Sequence, residues 1–458
     1  MVDAGIYISA PGKVILFGEH AVVYGRTAVA GSIDLRTYVS LFTSQDGRIY
    51  LSLPDLGVEK TWMLKDLLKA ADKLGECGVD DGVPPSLETI VPLARRLSGS
   101  CEEQCGVQHL AILAFWYLLL GIVQRKRDLL AVKVTVRFKL PSCVGLGSSG
   151  AYCVCIATAL LQAAGLIPKA NVPCGGTGEE ASCSTWDDDH LDMIRKWAAS
   201  AESLIHGRAS GLDAAVCTYG GVASFRPGTR IQHLRNLPEL RVILVNSKVE
   251  RNTSRMVATV KERLKKFPEV VEGIFSSIDA ISREAIRILN HSSETAALPG
   301  GGGGGAPVLT NDIGSTSSSA TASSGPQCTE EEHHALQEES GVARGSIQNK
   351  TAVYLRLNDL CLMNNQLLMA LGVGHPKVDQ ICTLLARYGI HPKMTGAGGG
   401  GSVYAFLKPD TSQTVMAMIR QELTKLGYEV WQPPLGGHGV LLHHTRLPDV
   451  FSAPPSSS

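Results

Sequence analysis

The 458-residue chain has no excess of either charge, with 43 Lys and Arg against 43 Asp and Glu. Balanced charge removes the long-range field that draws nucleic acid or an anionic membrane to a protein. No nucleic-acid or membrane partner is expected, and a small-molecule function fits better. The sequence also lacks an apolar run near the roughly 20 residues needed to span a bilayer. Its longest run, Leu110 to Val123, reads as a buried core helix. The twelve cysteines lack the dense spacing of a secreted disulfide scaffold and read as reduced thiols. The opening Met1-Val-Asp-Ala-Gly-Ile has neither the basic flank nor the apolar core of a signal peptide, and the closing Pro-Pro-Ser-Ser-Ser458 is no targeting tripeptide. A cytoplasmic location is the expectation.

Residues 1 to 235 alternate strand-like and helix-like patterns. Val132 to Leu140 alternates apolar and polar side chains, the period of a half-buried strand. Ala151 to Gly165, rich in Ala and Leu and closed by glycine, suits a helix. A second helix is expected from about Asp189 to Ile205. The acids before it, Trp186-Asp-Asp-Asp189-His, favour a helix N-terminus and are read as solvated rather than metal-binding. After a strand at Arg241 to Val245 the pattern is mostly helical to about Asn290.

Residues 292 to 328 contain six consecutive glycines, Gly300 to Gly305, followed by Ser, Thr and Ala. Such a segment cannot bury enough apolar surface to order itself and reads as a flexible insertion. Thr329-Glu-Glu-Glu332 then fits a capping box, which makes His333 and His334 helix residues. Cys101, Cys105 and His109 share a helical spacing that does not match a Cys-x-x-Cys zinc finger, and they read as core packing.

The stretch Lys139-Leu-Pro-Ser-Cys-Val-Gly-Leu-Gly-Ser-Ser-Gly-Ala-Tyr152 carries Gly145-x-Gly147-x-x-Gly150 between a strand and a helix. A nicotinamide site needs a strand ending in an acid about 20 residues on; Leu166 to Gly178 offers no such strand, which counts against a dehydrogenase. A Walker loop needs Gly-Lys-Ser/Thr, and this loop has Gly147-Ser148-Ser149. Phosphate binding by N–H groups at a helix N-terminus remains. Three further stretches surround it: Pro11-Gly-Lys13-Val-Ile-Leu-Phe-Gly-Glu19-His20-Ala-Val-Val-Tyr24-Gly25, then Glu202 to Asp213 with two carboxylates, then Lys393-Met-Thr-Gly396-Ala-Gly398-Gly-Gly-Gly401-Ser402 before an apolar strand at Val403 to Leu407.

PGKVILFGEHAVVYG, LPSCVGLGSSGAY and KMTGAGGGGS resemble the three ordered motifs of the GHMP kinase superfamily. With Lys248-Val-Glu-Arg-Asn252-Thr253, they resemble the mevalonate kinase family within it. The likeness covers residues 6 to 292 and 329 to 445. It implies an α/β (α+β) fold of two domains with the active site in the cleft between them. The N-terminal domain is 1–235, the C-terminal domain 236–445 interrupted by the insertion, and the tail 446–458.

The resemblance implies ATP-dependent phosphorylation of the mevalonate 5-hydroxyl, on the route to isoprenoids and sterols. ATP is then held by Lys13, Asp55, Cys143, Val144, Gly145, Leu146, Gly147, Ser148 and Ser149. Magnesium, the cofactor, is held by Ser149 and Glu202. Asp213 is the base or orienting acceptor, and Lys13 stabilises charge on the transferring phosphoryl group. Glu19, His20, Tyr152 and Thr253 contact the substrate. A homodimer and feedback inhibition by prenyl diphosphates are further implications. Asp55 stands where the family often has asparagine. Ser142, Cys143 and Val144 replace Pro, Gly and Ala, and a Cβ at Cys143 opposes positive φ. Galactokinases typically carry Arg at the position of Lys13, and phosphomevalonate kinases usually lack the Gly-Glu-His block. The alternatives are another small-molecule kinase of the superfamily and a catalytically silent ligand sensor.

Overall fold

Apolar stretches too rich in β-branched residues for helix open the chain as two long strands, β1 (Ile6–Phe17) and β2 (Ala28–Ser44), paired antiparallel from Ile6↔Leu41 to Phe17↔Val29. A computed structural model describes residues 5–74, 82–99, 106–126, 131–141, 144–174, 182–206, 210–234, 237–250, 252–294 and 330–451; side chains are described for all of these except 206, 291–294 and 330–348. The segment predicted to be a flexible insertion, its capping Thr329, and Cys101, Cys105 and Cys143 lie outside the described residues, as do the side chains of His333 and His334.

Strands β3 (Arg48–Leu53), β4 (Val58–Met63), β5 (Ala131–Phe138), β6 (Val172–Pro173), β7 (Cys183–Thr185), β8 (Val222–Phe225) and β9 (Gln232–Leu234) extend the first sheet. The second half contributes β10 (Val242–Asn246), β11 (Lys393–Met394), β12 (Ser402–Phe406), β13 (Glu429–Trp431) and β14 (Leu441–His443). The larger sheet has ten strands in the order β4-β3-β5-β2-β1-β14-β7-β6, with β8 on β2 and β9 on β8; the smaller runs β11-β12-β10-β13. Strand β14 lies within the range expected for the second domain, yet it pairs with β1 through Tyr7↔His443 to Ser9↔Leu441. Its approach needs glycine: a Cβ on Gly439 would sit 2.0 Å from the Thr218 carbonyl oxygen.

Helices α1 (Leu64–Leu74), α2 (Leu87–Ser98), α3 (Val107–Arg125), α4 (Ser148–Ala163), α5 (Asp188–His206) and α6 (Leu212–Tyr219) accompany the larger sheet. Helix α3 contains the longest apolar run and is long and apolar enough to cross a membrane by composition. Here every residue from Ala111 to Val123 is buried in the main core. Helix α4 begins three residues before the sequence suggests, so its N-terminus is formed by the loop serines themselves. Asp187 accepts the His190 N–H at 3.0 Å ahead of α5, while Asp188 and Asp189 are exposed, the solvated arrangement expected. Helices α7 (Thr253–Lys266), α8 (Pro268–Glu294) and α9 (Glu330–Ala370) follow β10, and a second core of Ile243, Phe275, Leu368, Met394 and their neighbours fills the C-terminal half. No disulfide joins the cysteines among the described residues.

Gly439→Ala drives a Cβ into the backbone of Thr218 to Gly220, 2.0 Å from Thr218 O and 2.6 Å from Gly220 N. It should destabilise the protein by about 2 kcal/mol or more. A thermal melt unchanged from wild type would show that this crossing yields.

Candidate active site

The loop before α4 turns through glycines with φ of 90° at Gly145 and 73° at Gly147, conformations that a Cβ disfavours. The turn aims the first N–H groups of α4 outward, where the helix dipole favours an anion. Lys13 N donates to Leu146 O at 2.8 Å, binding this loop to β1. A bulge at Pro11/Gly12 bends β1 just before Lys13, and a Cβ on Gly12 would meet Leu146 O at 2.8 Å. The lysine is therefore delivered beneath the loop by backbone shape.

Its ammonium, 7 % exposed, lies 2.8 Å from Asp213 Oδ1. Asp213 sits in the first turn of α6, entered through Gly211 at φ 78°, where a carboxylate is favoured by the helix dipole. Glu202, near the end of α5, is 2 % exposed. Ser149 Oγ donates to its Oε1 at 3.5 Å, while Oε2 is buried without a hydrogen-bond partner among the described residues. Burial pushes the Glu202 carboxyl up to about 8, the Asp213 carboxylate adding to the effect and Lys13 opposing it. Gly150 makes the convergence possible: a Cβ there would stand 3.0 Å from Asp213 Cβ and 3.4 Å from Glu202 Oε1. In sequence Gly150 only closes the glycine motif; its close packing against Asp213 and Glu202 depends on tertiary structure.

Lys13 balances the Asp213 carboxylate, and Glu202 beside them takes its negative charge only as its proton is lost toward pH 8. Glu202 and Ser149 are hard oxygen donors suited to a divalent cation that keeps water and phosphate as its other ligands. Among the described residues no group of three or more His, Cys, Asp or Glu forms a metal cluster.

The remaining predicted residues divide into groups. Val144 to Ser149 form the loop just described. Glu19 and His20 follow β1. Glu19 is 1 % exposed and ion-paired with Lys393; burial raises its pKa, and Lys393 and Lys13 oppose the rise. His20 Nε2 lies 2.8 Å from Ala397 O. Thr253 is exposed at the start of α7, whose Met256 and preceding Val249 lie against Gly399 and Gly400. Asp55 lies away from the charged centre. Its Oδ2 accepts Phe138 N at 2.8 Å and its Oδ1 pairs with Arg137 at 3.3 Å. Tyr152, 2 % exposed, spends its hydroxyl on Ala111 O at 2.8 Å and stacks near Phe138. With Leu56, Leu110 and Ile205, these two rings wall an apolar cavity that opens onto Ser148 and Ser149.

The family model described as GHMP kinases C terminal matches residues 353–425. Mevalonate kinase of Mus musculus is 36% identical over 443 residues, covering 97% of this chain and 96% of its own. That of Homo sapiens is 36% identical over 444 residues with the same coverage. The structure of Methanococcus jannaschii mevalonate kinase superposes with a TM-score of 0.60 at 20% identity, covering 94% of this chain and 98% of its own. The L. major mevalonate kinase solved with R-mevalonate gives 0.58 at 17% identity, covering 96% and 98%.

The raised Glu202 pKa has a definite sign. Protonated Glu202 stabilises the metal-free fold fully below the unfolded value near 4.5, and that contribution is lost as pH rises toward about 8. Glu202→Gln should therefore raise the Tm of the metal-free protein by several degrees at pH 8.5, with a smaller gain at pH 5. Equal Tm values for the two proteins at both pH values would show that the carboxylate is not under strain.

Proposed function

The chain belongs to the mevalonate kinase family, an ATP-dependent phosphotransferase acting on mevalonate, and we propose that Lys13, Ser149, Glu202 and Asp213 carry the transfer. The single observation that supports this most is the Lys13–Asp213 contact of 2.8 Å beside the α4 N-terminus. Phosphoryl transfer needs an aligned nucleophile and charge neutralisation more than covalent chemistry. The helix N-terminus and the loop Val144 to Ser149 suit the triphosphate, with its base toward the apolar cavity lined by Leu56, Phe138 and Tyr152.

Asp213 holds the 5-hydroxyl and accepts its proton as the new O–P bond forms and the bond from the γ-phosphorus to the β-γ bridging oxygen breaks, releasing ADP. Lys13 favours the alkoxide and offsets charge on the transferring group. Ser149 Oγ and Glu202 would hold magnesium, whose positive charge when bound neutralises the phosphates; the unpartnered Glu202 Oε2 fits such a ligand. Glu19, His20 and Thr253 remain candidate substrate contacts, with Tyr152 supporting from the cavity wall.

Two family traits extend the proposal. Prenyl diphosphates suit the ATP site, since a diphosphate matches the helix N-terminus and a prenyl chain matches the apolar cavity beside it. Leu355, Leu362, Met363 and Met369 form an exposed apolar strip along α9, which supports a homodimer. The free cysteines among the described residues accord with a cytoplasmic location.

ADP release should follow addition of mevalonate to the protein with magnesium-ATP, and not of galactose, homoserine or phosphomevalonate. Asp213→Ala should lower kcat by roughly 100-fold to 10,000-fold with ATP binding retained. Wild-type turnover in that variant would remove Asp213 from the reaction. ATP binding without turnover on any of the four compounds would favour a sensor.

A further inference from the structure

Lys393 is the most deeply buried charged group of the C-terminal half, at 0 % exposure, and no step of the proposed reaction uses it. Its ammonium donates to Glu19 Oε1 and, at 2.9 Å, to Met394 O, and it lies 5.7 Å from the Phe17 ring centre and 5.2 Å from that of Tyr404. Removing both members of an ion pair from water is costly unless geometry repays it. The geometry here concerns the exit of β1, which also carries Lys13.

That exit is strained. His20 has φ 60° and ψ −48° and is the centre of a γ-turn closed by Ala21 N to Glu19 O at 2.6 Å; Gly18 before it has φ 100°. Such a conformation is strained for a residue with a Cβ and persists only where its surroundings over-determine it. The surroundings come from the other half of the chain. Thr395 Oγ1 accepts Ile15 N at 3.0 Å and donates to Ile15 O at 2.9 Å. Tyr404 Oη donates to Leu16 O, Lys393 donates to Glu19, and Ala397 O meets His20. Ile15, Leu16, Glu19 and His20 are thus bound one by one to a single segment, Lys393 to Tyr404. Two residues earlier on the same edge of the strand, Lys13 N is bound to Leu146 O.

We propose that Lys393 is a positioning residue for phosphoryl transfer: with Glu19 it forms a buried clamp that fixes the strained end of β1 and so holds the Lys13 ammonium against Asp213. The inference rests on the roles proposed for Lys13 and Asp213. The fully buried Lys393 ammonium is already occupied by a carboxylate and a carbonyl, so it acts through Glu19 and the turn rather than on the reacting atoms.

A double-mutant cycle on the full-length protein tests this, with Lys393→Met, Glu19→Gln and the two combined. Melting temperature, kcat and the KM values for magnesium-ATP and mevalonate are measured for each. A clamp acts as a unit, so each single variant should lose kcat by roughly 30-fold or more with the KM for magnesium-ATP within about threefold of wild type, Lys393→Met should also keep the mevalonate KM within about threefold, and the double should fall little below the worse single in kcat. Losses that multiply would show two independent roles. A raised mevalonate KM with kcat retained in Lys393→Met would make Lys393 a direct substrate contact, and wild-type kcat in all three at temperatures well below melting would leave it a purely structural pair. Each of these results overturns the clamp. Should the single variants fail to fold around an unpaired charge, the double variant leaves none, and a wild-type kcat in it alone also refutes the proposal. Turnover by the wild type of an alcohol other than mevalonate would overturn the substrate reading, while the same cycle run on that alcohol would still decide the clamp.

Discussion

The structure depends on bringing Lys13 and Asp213 to 2.8 Å from opposite ends of the N-terminal sequence, one from a strand and one from a helix N-terminus. A contact between a largely buried lysine and an aspartate tolerates little error, because the ammonium loses most of its water and the carboxylate must replace it. The accuracy comes from backbone rather than from side chains. Gly12, Gly147 and Gly150 each occupy positions where a Cβ would press on Leu146 or Leu140, on Lys13, or on Asp213 and Glu202. The loop, strand and two helices can meet at one point because three residues omit a side chain there.

Glu202 makes the arrangement unequal. Lys13 balances one carboxylate, and the second lies buried with an orphaned oxygen and a carboxyl pushed up to about 8. A fold selected for stability alone would place an apolar side chain or a partnered one at that position. Retaining a strained acid next to a helix N-terminus fits the magnesium site proposed above, where a cation would supply the positive charge that Glu202 lacks. On the roles proposed for Ser149 and Glu202, the stability lost here is the counterpart of affinity for a cation.

Local chemistry was legible in the sequence where it depends on local backbone. The glycine loop, its two serines, Lys13 and the two acids on α5 and α6 are all marked by residues whose conformational or charge preferences act over a few positions, and the structure brings them together. Partners set by tertiary register were not legible. Lys393 looks like an ordinary residue ahead of a glycine loop, and only the pairing of β11 with β12 buries it against Glu19. The return of β14 to the first sheet carries no signal in a three-residue strand. Tyr152 stood close to the substrate motif in sequence, but helical periodicity turns it into the apolar wall, bonded to Ala111. Asp55 is likewise taken up by Arg137 and Phe138, which no pattern of spacing would reveal.

The third glycine motif illustrates the same limit. In sequence it is a glycine-rich loop before an apolar strand, and its backbone shows what the glycines do. Gly398 to Gly401 all have positive φ, and a Cβ at Gly398 would meet Val373 O at 2.4 Å. Gly399 N bonds Val373 O, Gly401 N bonds Val249 O, and Ser402 N bonds Val144 O. The last of these reaches the loop before α4 itself. That loop is therefore held by β1 on one side, through Leu146, and by the C-terminal sheet on the other, through Val144. Relative motion of the two sheets would have to break bonds at the loop before it could open the space between them. It follows that the loop's shape and the seating of the two halves are one property, which is why so many glycines are concentrated where the three segments cross.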